Sequence, residues 1–343
     1  ARLEPVPALV VGALLIGMGY GPITPASSHL LARTTQPHQM SLVFSVKQTG
    51  VPLGGMLAGA MVPSLVVWSS WRGALIASAL VGLALVFVSQ VLRTSLDADR
   101  DRERPLRLGL LSEPIRLVLH HPGLSTLAFC SFAFSMAQLS LTTYLVTYLY
   151  SQFSYTLVAA GLVLTVCQLG GVVGRIVWGM VADRWLGAAT TLTVLAVLIA
   201  ACALLTAGLP AQVPALALML LLAVFGASAI GWNGVYLAEV ARQAPEGQAG
   251  VATGGTLAFT YLGVVLGPPL FGVLTELTHS YRAGFALTRL QSRQFAGVDG
   301  GKSGHRRASS VAAKRCTYGT VSALPRARTA GSSKSFATAI ASS

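Results

Sequence analysis

Charge is scarce in this chain of 343 residues. Only 10% of positions are Asp, Glu, Lys or Arg, against about 25% in a soluble domain. Acids are scarcest, with 11 Asp and Glu in all. No HExxH, no Gly-x-Ser-x-Gly, no His cluster and no pair of aspartates within an apolar run occurs, which argues against an enzyme. Cysteine is sparse as well. Cys130, Cys167 and Cys202 lie in apolar runs and Cys316 near the C-terminus, none spaced as CxxC. Neither a disulfide framework nor a zinc site is suggested, no cofactor is expected, and the cysteines read as small buried hydrophobes.

Apolar residues and glycine are abundant instead. The chain is 53% hydrophobic with 36 glycines and a mean hydropathy of +0.66. Apolar runs long enough to span a bilayer, about 20 residues, occur at 6–32, 41–67, 73–92, 122–150, 156–182, 187–208, 214–238 and 248–275. Inside hydrocarbon every amide must be bonded within its own segment, so these runs read as helices. The first is too long for a signal peptide and lacks a cleavage pattern.

The formal charge of +13 is unevenly placed. Residues 277–343 hold eleven Lys/Arg against Asp299 alone, a net +10, while the body is nearly neutral. Nine arginines fall in alternate connections: Arg33, then six between 93 and 121, then Arg184 and Arg242. The opposite connections hold only Arg2 and Arg72. The positive-inside rule therefore places the first set in the cytoplasm.

Two segments repeat. Gly50-Val-Pro-Leu-Gly-Gly-Met-Leu-Ala-Gly59 and Gly263-Val-Val-Leu-Gly-Pro-Pro-Leu-Phe-Gly272 agree at six of ten positions. They lie on the second and eighth spans, a period of six helices, which is the plan of a two-halved secondary transporter. The long polar connection 93–121 divides the spans three and five. On a six-helix repeat the chain reads as spans four to eleven of twelve. Tyr281 to Leu287 looks like the start of a further span, after which residues 288–343 show no apolar run or period and read as disordered. A shifted frame, foreign sequence or a genuine basic extension each accounts for that change.

Gly179-Met-Val-Ala-Asp183-Arg184, between the fifth and sixth spans, resembles the G-x-x-x-D-R loop between helices eight and nine of the major facilitator superfamily. The two glycine phrases resemble that family's helix five and helix eleven signatures, and Gly267-Pro268 its Gly-Pro motif. The resemblance covers roughly residues 6–287. It departs where Trp185-Leu186-Gly187 follow the loop motif in place of further basic residues. The resemblance implies a two-bundle helical fold, alternating access, and a conformational latch at Gly179, Asp183 and Arg184.

Residue chemistry adds to this. Gly50/Gly54, Gly55/Gly59, Gly170/Gly174 and Gly263/Gly267 are spaced for close helix packing in lipid. Pro52, Pro268 and Pro269 release main-chain bonds. Asp183 is placed to cap the helix that follows or to pair with a cation nearby. Arg175, about 12 Å further along the same helix, and Glu239 at a similar depth are expected to neutralise each other. Lys47, with no acid at its depth, either snorkels or faces an aqueous path and favours anions. Gln48, Gln138, Tyr144, Gln168, Trp232, Asn233, Tyr236 and Tyr261 are candidates for lining that path, with Tyr20, Thr24, Thr142 and Thr260 as weaker ones.

The expectation is thus an all-α polytopic membrane protein. Residues 1–92 form part of an N-terminal bundle, 93–121 a cytoplasmic loop, 122–287 a C-terminal bundle and 288–343 a tail. It is expected to be a monomeric secondary transporter of a small solute, organic or inorganic anion included, in a bacterial inner membrane, with coupling to a proton or other ion left open. The alternative is a non-transporting fragment whose tail binds anionic lipid or nucleic acid nonspecifically; specific nucleic-acid recognition is not expected. As it stands, the chain is expected not to transport alone.

Overall fold

The computed structural model describes residues 6–91, 112–210, 212–281 and 284–285. Most of the expected central loop, the tail and its start after Leu287 fall outside the described residues. Of the chain's two compact units, Ala1–Gly297 contains every described residue, and Val298–Ser343 contains none.

Among the described residues there is no strand. Eleven α-helices follow one another: α1 (Val6–Tyr20), α2 (Ile23–Thr34), α3 (Met40–Trp68), α4 (Trp71–Gln90), α5 (Glu113–His120), α6 (Pro122–Phe153), α7 (Leu157–Val181), α8 (Ala188–Ala207), α9 (Ala215–Ala229), α10 (Asn233–Gln243) and α11 (Ala249–Thr278). Among the described residues, seven helical stretches are long and apolar enough to cross a membrane. The remaining expected span, α3, is 29 residues long with Lys47 as its only charge. Exposed Leu, Ile and Val side chains cover α1 and α4, surface that a bilayer, not water, accommodates.

Two expected continuous spans are interrupted. The first breaks between α1 and α2 at Gly21-Pro22, where proline removes a helix donor. The seventh breaks at Ile230–Trp232, and its second piece, α10, runs to Gln243 instead of stopping at 238. Polar residues in that last turn satisfy one another, with Gln243 Nε2 donating to Glu239 Oε1 at 2.6 Å. The connection 93–121 also ends in a helix where a loop is expected. α5 opens on Glu113-Pro114, closes on His120, and buries Val118 fully. Eight residues are too few to register as a span.

α6 lies along α11 and α7 along α9, while α3 packs on α7 and α10, and α2 on α11. Glycines set these approaches. A methyl group on Gly170 or Gly174 would lie 2.4 Å from the Ala223 or Ala227 carbonyl oxygen of α9. On Gly263 it would lie 2.4 Å from the Phe132 carbonyl oxygen of α6. The first copy of the repeat differs: nothing lies within 4 Å of such a group on Gly50 or Gly54. Phe285, in the segment after Tyr281, is buried against Tyr148 and Phe271, with ring centroids 5.1 and 5.2 Å away.

Candidate functional site

Asp183 sits in a single wide π turn, Ala182–Leu186, that ends α7. Gly187, at φ +77°, closes the turn in a conformation that favours glycine. The carboxylate, only 4% exposed, does not cap the following helix α8. It accepts instead from the main-chain N–H groups of Ser41 at 3.0 Å and Leu42 at 2.7 Å. Those are among the unpaired donors at the start of α3, the positive end of its dipole.

Arg242, from the end of α10, completes the arrangement. Its Nη2 donates to Asp183 Oδ1 at 3.0 Å and to the Pro37 carbonyl at 3.2 Å, and its Nη1 to Ser41 Oγ at 3.1 Å. Glu239 lies 3.8 Å from the same guanidinium. Three segments far apart in sequence therefore converge on one carboxylate, joining α3 to α7 and α10. Arg184 is exposed and takes no part in these bonds.

Beneath this layer the backbones nearly touch. Ser45 of α3 lies between Gly179 and Gly234: methyl groups there would come within 2.7 and 2.2 Å of Ser45 Oγ. No pattern in the sequence singles out Gly234, Ser41, Ser45 or Arg242. Arg242 is legible there only as one loop cation, with nothing to link it to Asp183.

The expected pair of Arg175 with Glu239 does not form. Arg175, 4% exposed, donates from Nε to the Ile230 carbonyl at 3.1 Å and from Nη1 to the Gln48 carbonyl. Glu239 bonds Gln243 and neighbours Arg242. Carbonyl oxygens can satisfy a guanidinium's donors in place of a carboxylate, and the sequence distance between Arg175 and its two carbonyls conceals that alternative.

Four of the expected path residues gather. Trp232 Nε1 donates to Gln138 Oε1 at 3.0 Å, and Asn233 Nδ2 donates to the same oxygen at 3.3 Å. Tyr236 packs edge-on to Trp232, with centroids 5.3 Å apart. Trp232 and Tyr236 are buried, while Gln138 and Asn233 are half-buried. Tyr144, Gln168, Tyr261 and Gln48 share no hydrogen bond with this group. Tyr144 donates to the Pro268 carbonyl at 3.0 Å and stacks on Phe271. Gln168 is half-buried and Tyr261 is exposed. Gln48 is buried and engaged through its carbonyl. Thr142 bonds the Gln138 carbonyl, Thr260 bonds Ser131 Oγ, Thr24 is buried and Tyr20 exposed. Lys47 is half-buried, and among the described residues its ammonium has no hydrogen-bond or ion-pair partner.

A family model described as the Major Facilitator Superfamily matches residues 2–268. The hexuronate transporter of Bacillus subtilis (strain 168) is 22% identical over 180 residues, 51% of this chain and 43% of that protein. An uncharacterized MFS-type transporter of Mycobacterium tuberculosis (strain ATCC 25618 / H37Rv) is 26% identical over 284 residues, covering 81% of this chain and 61% of that one. The chain therefore spans about half the length of these relatives. Among solved structures, the fucose:proton symporter of E. coli superposes with a TM-score of 0.67 at 15% identity, over 86% of this chain and 77% of that one.

Proposed function

This chain belongs to the Major Facilitator Superfamily, and from that premise we propose that it works as part of a secondary carrier moving a small organic anion by alternating access. It is an integral, multi-pass membrane protein and not an enzyme. A bacterial inner membrane is the setting its bacterial relatives support.

The observation that carries the transport reading is the convergence on Asp183. A single carboxylate ties α3, from one side of the sequence repeat, to α7 and α10, from the other. Such a tie closes one end of a path between two packing groups, and its release opens that end. The bonds are charge-assisted, individually worth about 1.5–3 kcal/mol. That is strong enough to hold a state and weak enough to exchange.

Substrate class rests on two further features. Lys47 offers a cation without a protein partner among the described residues, and an ammonium within a span calls for water or an anion. Gln138 and Asn233 supply half-buried amides joined at the buried Trp232 N–H, groups that suit a hydroxylated ring. A sugar carboxylate combines both demands, and the hexuronate transporter among the relatives supports that choice. Proton or ion coupling belongs to the same proposal, supported by the likeness in fold to a fucose:proton symporter.

The test is uptake of labelled hexuronate by cells expressing the complete carrier of which this chain is proposed to be part. Saturable uptake that excess unlabelled hexuronate abolishes is expected. Uptake no greater than in cells lacking the protein would overturn the assignment.

A further inference from the structure

Gln48 and Pro52 stand one turn apart on α3. In an α-helix the carbonyl of residue i accepts from the N–H of residue i+4. Proline has no N–H, and its ring pushes against that same carbonyl. The Gln48 carbonyl is thereby left without a donor in its own helix, on a residue that is buried. Arg175 of α7 supplies the donor from Nη1.

The other end of the guanidinium meets a second carbonyl of the same kind. Ile230 lies in the interruption between α9 and α10, and its carbonyl accepts from Arg175 Nε at 3.1 Å and Asn233 Nδ2 at 3.4 Å. One turn along α7, Trp178 Nε1 similarly bonds the Ala227 carbonyl in the last turn of α9 at 3.0 Å. α7 thus secures the end of α9 with two side chains, and only one of them also reaches α3.

We infer that Pro52 and Arg175 form a matched pair: the proline strips a carbonyl on α3 of its helix donor, and the arginine uses that carbonyl to fasten α3 to α7 and the α9–α10 break. The planar fork of donors lets one buried side chain serve both carbonyls without a carboxylate. This hold lies deeper than the Asp183 layer and must be released whenever α3 leaves α7. It explains a proline inside α3 that is otherwise a cost to the helix, and it does not depend on what the carrier transports.

Hydrogen–deuterium exchange of the 343-residue chain in lipid nanodiscs, without substrate, reads this directly. Arg175→Met is expected to speed exchange of segments 44–51 and 228–236 roughly tenfold, the scale of one lost charged hydrogen bond. Adding Pro52→Ala to that variant returns an N–H to the Gln48 carbonyl. Segment 44–51 should then recover to within about twofold of the original, the new helix bond replacing the lost one, while 228–236 stays fast. Pro52→Ala alone should slow neither segment. The inference is overturned if Pro52→Ala changes 44–51 by the same factor with and without Arg175, or if Arg175→Met leaves both segments unchanged. Should Arg175→Met not accumulate, Arg175→Lys completes the same cycle, since an ammonium cannot span both carbonyls; additive effects there overturn the inference equally.

Discussion

The Asp183 carboxylate accepts the main-chain N–H of Leu42 at 2.7 Å, although the two residues are 141 positions apart. Helix caps are normally local, taken from the residue just before the helix. Here the start of α3 has no side-chain cap of its own, Gln39 making none, and its cap comes from another helix. Separating α3 from α7 and α10 therefore uncaps a helix as well as breaking the Arg242 bonds to Ser41 Oγ and the Pro37 carbonyl. Closure and helix stability are coupled at this point.

Close approach should be felt unequally among the glycines. Gly234→Ala places a methyl 2.2 Å from Ser45 Oγ and 2.3 Å from Ser45 Cα, so main chain must move. A loss of about 1–3 kcal/mol is expected, seen as a lower melting temperature in detergent. Gly50→Ala and Gly54→Ala meet nothing within 4 Å and should leave the melting temperature of this chain unchanged or raise it slightly. Equal effects at Gly234 and Gly50 would contradict the packing described.

Lys47→Gln tests the substrate class. Uptake of a hexuronate should fall about tenfold or more, the scale of one charged hydrogen bond, while insertion into the membrane is unchanged. A neutral hexose offered in parallel should gain relative to the acid. An unaltered ratio of the two would return Lys47 to the membrane surface as a snorkelling residue.

Orientation follows from the arginines. Single cysteines at His38, at Arg184 and within 97–104 should resist a membrane-impermeant thiol reagent applied to intact cells and react after permeabilisation. The motive is the six arginines of 93–121 together with Arg33, Arg184 and Arg242 in the same set of connections. Strong labelling from outside would reverse the topology.

Helices are the legible part of this protein. A span announces itself because about 20 apolar residues must run without interruption, and each of the eight expected runs corresponds to helix. The breaks at Gly21-Pro22 and Ile230–Trp232 are harder to see, since both lie inside apolar sequence. The expected end of α10 at 238 falls short because Glu239, Arg242 and Gln243 look like loop until their mutual bonds are known. In the site, Gln138, Trp232 and Asn233 are recognisable as polar groups at unfavourable depth, and they do meet. Partners across helices are not recognisable in the same way. The pairings of Asp183 with α3, and of Arg175 with two carbonyls, depend on which helices touch. Nothing in local pattern records that Ser45 faces Gly179 and Gly234.

The most direct test of the closure reading is a distance measured across the Asp183 end. Spin labels on cysteines at His38 and Trp185, both exposed and on segments that meet there, report separation of α3 from α7; Cys130, Cys167 and Cys202 are buried, and Cys316 is replaced by serine. The unmodified site should give one short distance. Asp183→Asn should shift much of the population to longer distances. Exchanging the charges, Asp183→Arg with Arg242→Asp, should not bring it back, because an arginine cannot accept from the Ser41 and Leu42 N–H groups. A short distance retained in Asp183→Asn, or full recovery in the exchanged pair, would contradict the claim that this carboxylate holds the end closed by capping α3.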